Sequence, residues 1–235
     1  MRYLFGGLLS LFLNACCPTS YELYAQVVET VEIKATKTVS RLANNSRNAT
    51  VEVYSYRPEG LVSGTGTVFK YKDQTIVLTA AHIIDDPTNL IMISAACENW
   101  PADLVYFDAM LDLAVLTIPD EAGTKAMSLR PMKEKNVKIG QDVIYSGYPN
   151  IISLLTIEGY IAGFHNKGYL YLHSYGWSGA SGSAVLDTSG RVVGVLVALD
   201  VGTDYTGIPS IIEDVVIVVP IWKLNFDLLD LNLDL

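Results

Sequence analysis

The chain has 235 residues, with 16 Lys+Arg against 25 Asp+Glu and a formal net charge of −9. So acidic a chain lacks the cations needed to displace phosphate counterions, which excludes nucleic acid as a partner. Three Cys and three scattered His are too few for a disulfide framework or a structural zinc site, and no metal or organic cofactor is expected.

Length favours one large domain or two small lobes. Half the residues are hydrophobic, and the N-terminus accounts for part of that. Met1-Arg2 gives a short positive region, succeeded by an apolar run from Tyr3 to Leu13 broken by Gly6, Gly7 and Ser10. The run is too short to span a bilayer but suits the core of a signal peptide. It ends in Leu13-Asn14-Ala15-Cys16, which resembles a bacterial lipobox. The expectation is a leader over residues 1–15, with Cys16 lipidated and anchoring an exported protein to a membrane of the cell envelope. An ordinary secretory signal cut nearby, or a buried apolar helix, is the alternative.

Residues 16–48 differ in texture from the rest of the chain. Val27, Val28, Val31, Ile33 and Val39 are scattered among Glu29, Glu32, Lys34 and Lys37, a pattern that fits neither helix nor strand cleanly. Two readings stay open. One is a tether, which about 30 extended residues would stretch to on the order of 100 Å; the other is a helix packed on the domain. Asn44-Asn45-Ser46 and Asn48-Ala49-Thr50 match the glycosylation acceptor pattern, which beside a bacterial-type lipobox is read as chance.

From Ala49 to the C-terminus, taken as one domain over residues 49–235, short apolar segments alternate with turns. Strands are expected at Val51–Val53, Val68–Tyr71, Ile76–Leu78, Leu90–Ile93, Leu104–Phe107 and Leu113–Ile118. More are expected at Val143–Tyr145, Ile151–Ile157, Tyr169–Leu172, Ala184–Leu186, Val192–Ala198 and Val215–Val219. About a dozen short strands point to an all-β barrel or sandwich. Trp222–Leu231 alone reads as a helix, and Cys97 is expected as a buried free thiol.

Three constellations carry chemistry. Thr79-Ala80-Ala81-His82 ends an apolar strand, and Leu111-Asp112-Leu113 places an acid at the start of another. Gly179-Ala180-Ser181-Gly182 sets a serine between glycines ahead of a third. Glycine on both sides lets the backbone turn sharply and present a hydroxyl with amide protons aimed one way. Singly, each is weak: a capped turn or a satisfied histidine explains it. Together they give the order His…Asp…Ser with gaps of 30 and 69 residues. The α/β-hydrolases present Ser…acid…His and subtilisins Asp…His…Ser, which leaves the chymotrypsin order.

On those motifs the span from about Ala49 to Val219 resembles a trypsin-like (chymotrypsin-fold) serine protease, closest to the protease domain of the HtrA/DegP group. Ser63-Gly64-Thr65-Gly66-Thr67-Val68-Phe69 is similar to that group's strand ahead of the His motif. Gly140-Gln141-Asp142-Val143, Gly147-Tyr148-Pro149 and Gly190-Arg191-Val192-Val193-Gly194-Val195 are similar to its second-barrel elements. The resemblance implies two antiparallel six-stranded β-barrels with a short C-terminal helix and a cleft between the barrels. It implies an endopeptidase acting on protein or peptide substrates, with His82, Asp112 and Ser181 as the triad and the N–H groups of Gly179 and Ser181 as the oxyanion hole. His165 and His173 are the competing histidines. The substrate pocket falls near Ser174, Tyr175 and Gly176 and at Leu196, Val197 and Leu199. No Asp stands six residues before Ser181, so small or medium apolar residues are expected before the scissile bond.

The chain also departs from the family. Ala180 precedes the serine where digestive proteases carry Asp, which argues against activation by a newly cut N-terminal amine. Ser183-Ala184 replaces Gly-Pro, and within this chain no PDZ domain is expected after the last strand. The alternative function is a catalytically inactive protease fold that binds peptides or assembles envelope proteins; an esterase with the same triad is a further reading. Oligomeric state is left open.

Overall fold

Alternation of apolar and polar residues fixes which face of each strand is covered. The computed structural model describes residues 41–95, 98–149, 153–203 and 209–235. The leader, Cys16, the segment through Ser40, and Cys97 lie outside them. Helix α1 (Arg41–Asn48) leads into β1 (Thr50–Arg57), which buries Val51, Val53 and Ser55 and turns Glu52, Tyr54 and Tyr56 outward. Next come β2 (Gly60–Tyr71), β3 (Gln74–Thr79), the short helix α2 (Ala81–Ile84) and β4 (Leu90–Ala95). Then β5 (Glu98–Pro101), β6 (Asp103–Asp108), β7 (Leu113–Thr117) and β8 (Met127–Ser128) complete the first lobe.

Those strands form one sheet in the order β5-β4-β1-β2-β3-β7-β6, with β8 beside β2 in parallel. The second lobe holds β9 (Asp142–Gly147), β10 (Leu155–Phe164), β11 (Leu170–His173), β12 (Ala184–Asp187), β13 (Val192–Thr203) and β14 (Pro209–Pro220). These close as an antiparallel six-stranded barrel, β10-β11-β14-β13-β12-β9. The all-β, two-lobed chymotrypsin-like fold expected from the sequence is present. Its lobes differ in closure: among the described residues, β5 and β6 at the ends of the first sheet do not pair.

The nearly continuous apolar runs of β12 and β13 come from burial on both faces. Val185, Val193 and Leu196 enter the core of the second barrel. Ala184, Leu186, Val192, Val195 and Val197 face the other way and share a core with Val53, Phe69, Leu78 and Ile83 of the first lobe. The wall between the lobes is therefore itself hydrophobic core, and each buried Val or Leu there contributes about 1.5–3 kcal/mol.

Both chain ends of this region are tied down. In α1, the buried Ser46 donates to Ser146 Oγ at 2.8 Å and Arg47 donates to the Leu154 carbonyl at 2.9 Å. Residues 41–48 are thus a packed helix, with Ser46 buried against the second lobe and Asn44 and Asn48 exposed. At the other end a 3₁₀ turn at Ile221–Lys223 precedes α3 (Phe226–Asn232), which Asn225 caps by accepting from Leu228 N–H at 3.0 Å. Asp230 in α3 meets Lys72 and the Tyr71 hydroxyl, both at 2.7 Å. The expected helix is present, shorter than Trp222–Leu231.

The β12–β13 hairpin turns on Asp187. Its buried carboxylate accepts from Ser189 Oγ at 2.7 Å, from Arg191 N–H at 2.8 Å and from Arg191 Nε at 2.8 Å. Burial pushes this carboxyl up, but the bonds from Arg191 and Ser189 outweigh it and hold the group below its ordinary value. The unfolded chain binds that proton more readily, so the stability Asp187 contributes is complete at neutral pH. It is lost as pH falls below about 4 and through the lower folded value. Asp187→Asn is expected to cost about 1–3 kcal/mol at pH 7 and to flatten the acid limb of stability; urea titrations at pH 7 and pH 3.5 measure both.

Candidate active site

Helix α2 presents His82, and side chains from β1 and the turn after α2 fix its pose. Four residues make one helical turn, whose carbonyls need partners from elsewhere. The Arg57 guanidinium donates to the His82 carbonyl and, at 3.0 Å, to that of Ile83. Ser55 Oγ and Asn89 Nδ2 donate to the Ile84 carbonyl at 3.1 and 2.9 Å. At the front, Asp112 grips the same residue twice. Its Oδ1 accepts from the His82 backbone N–H at 2.7 Å, and its Oδ2 lies 2.7 Å from His82 Nδ1. Asp112 sits in a turn at φ 60°, a conformation uncommon for a residue with a Cβ. Asp108 Oδ1 builds that turn by accepting from the N–H groups of Met110 and Leu111 at 3.0 and 2.9 Å.

With Nδ1 engaged by a carboxylate, the neutral ring carries its proton there and leaves Nε2 as an acceptor. Ser181 stands in the turn across the cleft. Its hydroxyl donates to the Val197 carbonyl at 3.3 Å and makes no hydrogen bond to His82 among the described residues. That bond is long for O–H···O and correspondingly weak. Catalytic hydrogen bonds often tighten only when substrate is bound.

The turn before Ser181 is closed by Ala180 N–H donating to the Trp177 carbonyl at 3.0 Å. Its third residue, Gly179, has φ +92°, as a type II turn requires and glycine allows. Among the described residues neither the Gly179 N–H nor the Ser181 N–H has a protein acceptor. Two unengaged amides beside a serine hydroxyl are suited to hold a developing oxyanion. Ala180, the position where the sequence departs from digestive proteases, is fully buried in the second-barrel core. Ser183, the other departure, donates its hydroxyl to the Ala180 carbonyl at 2.7 Å.

Strand β2 of the first lobe holds this turn from behind. Thr65 N–H donates to the Ser181 carbonyl at 2.8 Å, and Thr65 Oγ1 donates to the Gly179 carbonyl at 2.7 Å. The same hydroxyl accepts from Tyr148 N–H at 3.0 Å, while Thr79 Oγ1 donates to the Thr65 carbonyl at 2.8 Å. Ala184 N–H donates to Thr67 Oγ1 at 3.1 Å. At Gly182, with φ +91°, a Cβ would collide with the Thr65 carbonyl, so only glycine fits. As a sequence, Ser63–Phe69 reads as a glycine-marked strand, and the role of its threonines is missed. The available signal is Thr65, Thr67 and Thr79 on strands otherwise built for full burial, where each hydroxyl needs a partner.

The pocket residues fare unevenly. Tyr175 is exposed and stacks on Trp177 with ring centroids 5.9 Å apart, so the rim there is aromatic and uncharged. Val197 offers the carbonyl that Ser181 contacts. Leu196 is a correction: its side chain is 2% exposed in the barrel core, and what it presents is backbone, with its carbonyl accepting from Gly182 N–H at 2.7 Å. Leu199 pairs with Val216 through β13 and β14, and its side chain lies outside the described residues. His173 stacks on Tyr160 at 5.0 Å, and His165 lies against Tyr169 and Tyr171. The structure records no contact of either with Ser181.

Thr65→Val keeps shape but strands the Gly179 carbonyl and the Tyr148 N–H. It is expected to lower stability by about 1–3 kcal/mol, with Thr65→Ser recovering most of the loss; denaturant unfolding of the two variants and the parent measures it.

The family model for the trypsin-like peptidase domain matches residues 64–195, more than half the chain. The chain is 26% identical over 162 residues to HhoA from Synechocystis sp., covering 64% of this chain and 40% of that protein. It is 26% identical over 148 residues to the Do-like serine protease HtrA of Bacillus subtilis, covering 57% of this chain and 32% of that one. It thus spans two fifths or less of the length of these curated relatives. Among solved structures, a serine endoprotease from Yersinia pestis superposes with a TM-score of 0.64 at 23% identity, over 80% of this chain and 65% of that one. A protease of M. tuberculosis in its active form gives 0.61 at 21% identity, over 78% and 80%. At those identities the structures speak to fold alone. With more than half its residues on the family model, the chain belongs to the trypsin-like peptidase domain family.

Proposed function

We propose that this protein is a serine endopeptidase working through His82, Asp112 and Ser181. The observation that carries the reading is the His82 imidazole held by Asp112 at 2.7 Å, in a chain whose Ser181 turn leaves two amides without a protein acceptor among the described residues. Ser181 Oγ attacks a peptide carbonyl while His82 Nε2 takes its proton. The electron pair moves onto the carbonyl oxygen, which the N–H groups of Gly179 and Ser181 receive. Asp112 stabilises the imidazolium, and His82 then gives the proton to the leaving amine as the C–N bond breaks. Water repeats the cycle on the acyl-enzyme. The uncharged Tyr175–Trp177 rim supports a preference for small or medium apolar residues on the acyl side. No step needs a metal or an organic cofactor.

The Leu13–Cys16 pattern supports export and lipid anchoring at Cys16, placing the domain at a membrane of the cell envelope. One observation favours a second reading, a protease fold that binds peptides without cutting them: the Ser181 hydroxyl rests on the Val197 carbonyl.

Fluorophosphonate labelling separates the two. The proposal expects the wild type to label and Ser181→Ala and His82→Ala to lose labelling, with peptide turnover falling by three or more orders of magnitude. Correctly folded wild type that neither labels nor cleaves casein upholds the second reading. Intact mass of the protein purified from membranes tests the anchor, with loss of residues 1–15 and a gain of acyl mass on Cys16 as the expected outcome.

A further inference from the structure

A second opening lies beside the nucleophile turn, away from the acyl-side rim. It is a cavity of about 720 Å³ that runs from the Leu61–Gly64 stretch of β2 to Ser178 and Gly179, with Glu52, Tyr54 and Tyr148 along its wall. It shares no residue with Ser174–Gly176 or with Leu196–Leu199. It thus reaches the turn before Ser181 through Ser178 and Gly179 by residues the acyl-side positions do not use, and the endopeptidase reading assigns it to the departing half of the peptide.

The chemistry of the wall is specific. Glu52 supplies the one formal charge among the lining residues. On β1 it faces outward beside Tyr54, whose hydroxyl donates to Glu52 Oε2 at 2.9 Å. Burial, then that bond to Glu52, pushes the Tyr54 hydroxyl well above its ordinary value, so it keeps its proton and stays a donor. Among the described residues no Lys, Arg or His forms an ion pair with Glu52. The carboxylate is held in place by one neutral hydrogen bond and left uncompensated. Around it, the Leu61 side chain and the tyrosine rings offer apolar and π surface, which suits the aliphatic stem and cationic head of Lys or Arg.

Resting on the endopeptidase reading above, we infer that Glu52 makes this cavity a leaving-side subsite selective for Lys or Arg in the residues just after the scissile bond. The stem of such a side chain lies along Leu61 and Tyr148, and its charge meets the free side of the Glu52 carboxylate. The chain's net charge of −9 attracts cationic peptides generally. Glu52 turns that attraction into a positional preference, because it is the charged residue among those lining this cavity.

The test uses internally quenched peptides identical up to the scissile bond and carrying Lys, Ala or Glu in the first three positions after it. Wild type is expected to turn over the best Lys peptide about fivefold faster in kcat/KM than its Ala match, and the Glu peptide more slowly still, an effect of the size a partly exposed ion pair gives. Glu52→Gln should bring the Lys/Ala ratio close to one, and Glu52→Lys should invert it toward Glu. Circular dichroism and thermal melting confirm that both variants are folded. The same three peptides are titrated, uncut, against Ser181→Ala and against Ser181→Ala/Glu52→Gln by fluorescence anisotropy. A Lys preference present in the first and absent in the second upholds the subsite even without turnover. Absence of labelling and turnover in wild type overturns the endopeptidase reading alone. Turnover or binding blind to charge, or a Lys preference that survives Glu52→Gln, overturns the role of Glu52 alone.

Discussion

The shape of the Ser181 turn depends on one threonine in the opposite lobe. Thr65 donates its backbone N–H to the Ser181 carbonyl and its hydroxyl to the Gly179 carbonyl. With both carbonyls held by β2, the Gly179 and Ser181 N–H groups have no protein acceptor among the described residues. The hydroxyl also receives Tyr148 N–H, so the first lobe, the Ser181 turn and the residue after β9 share one oxygen. Such a fully paired buried network is rigid, because removing any member leaves another unsatisfied in a dry environment.

The same logic governs the histidine. A one-turn helix has no stability of its own, so α2 persists because Arg57, Ser55 and Asn89 occupy its carbonyls while Asp112 holds the His82 N–H. The side chain is thus aimed by backbone restraints at both ends of its helix. Between these two supports lies the shared core, where Val195 and Val197 pack toward the first lobe while Val193 and Leu196 pack away from it. Half-hydrophobic composition is the result of strands covered on both faces, and relative motion of the lobes would have to break that core.

Much of this is legible in the residues. Apolar runs place most of the strands, and His82, Asp112 and Ser181 can be singled out by local pattern and chain order. The features that escape have weak local signals. Strand β5 contains Glu98, Asn99 and Pro101, poor strand formers, and exists through pairing of Met92–Ala95 with Glu98–Pro101. Strand β10 starts at Leu155 and runs to Phe164, later than its apolar stretch suggests, since its outer positions are solvent-facing and Gly159 and Gly163 interrupt the pattern. Leu196 reads as a pocket wall because position along the chain does not reveal facing; a one-residue shift on a strand exchanges cleft for core. The roles of Thr65 and Arg57 require knowing which carbonyls come near them, and that is settled by the approach of distant segments.

Ala180 carries a last consequence. It is sealed in the second-barrel core, and its carbonyl is satisfied internally by Ser183. Its place in the turn asks for no charge, ion or newly freed chain end. The turn is therefore completed from within the second barrel, by the same packing that buries Ala180 and the same hydroxyl that satisfies its carbonyl.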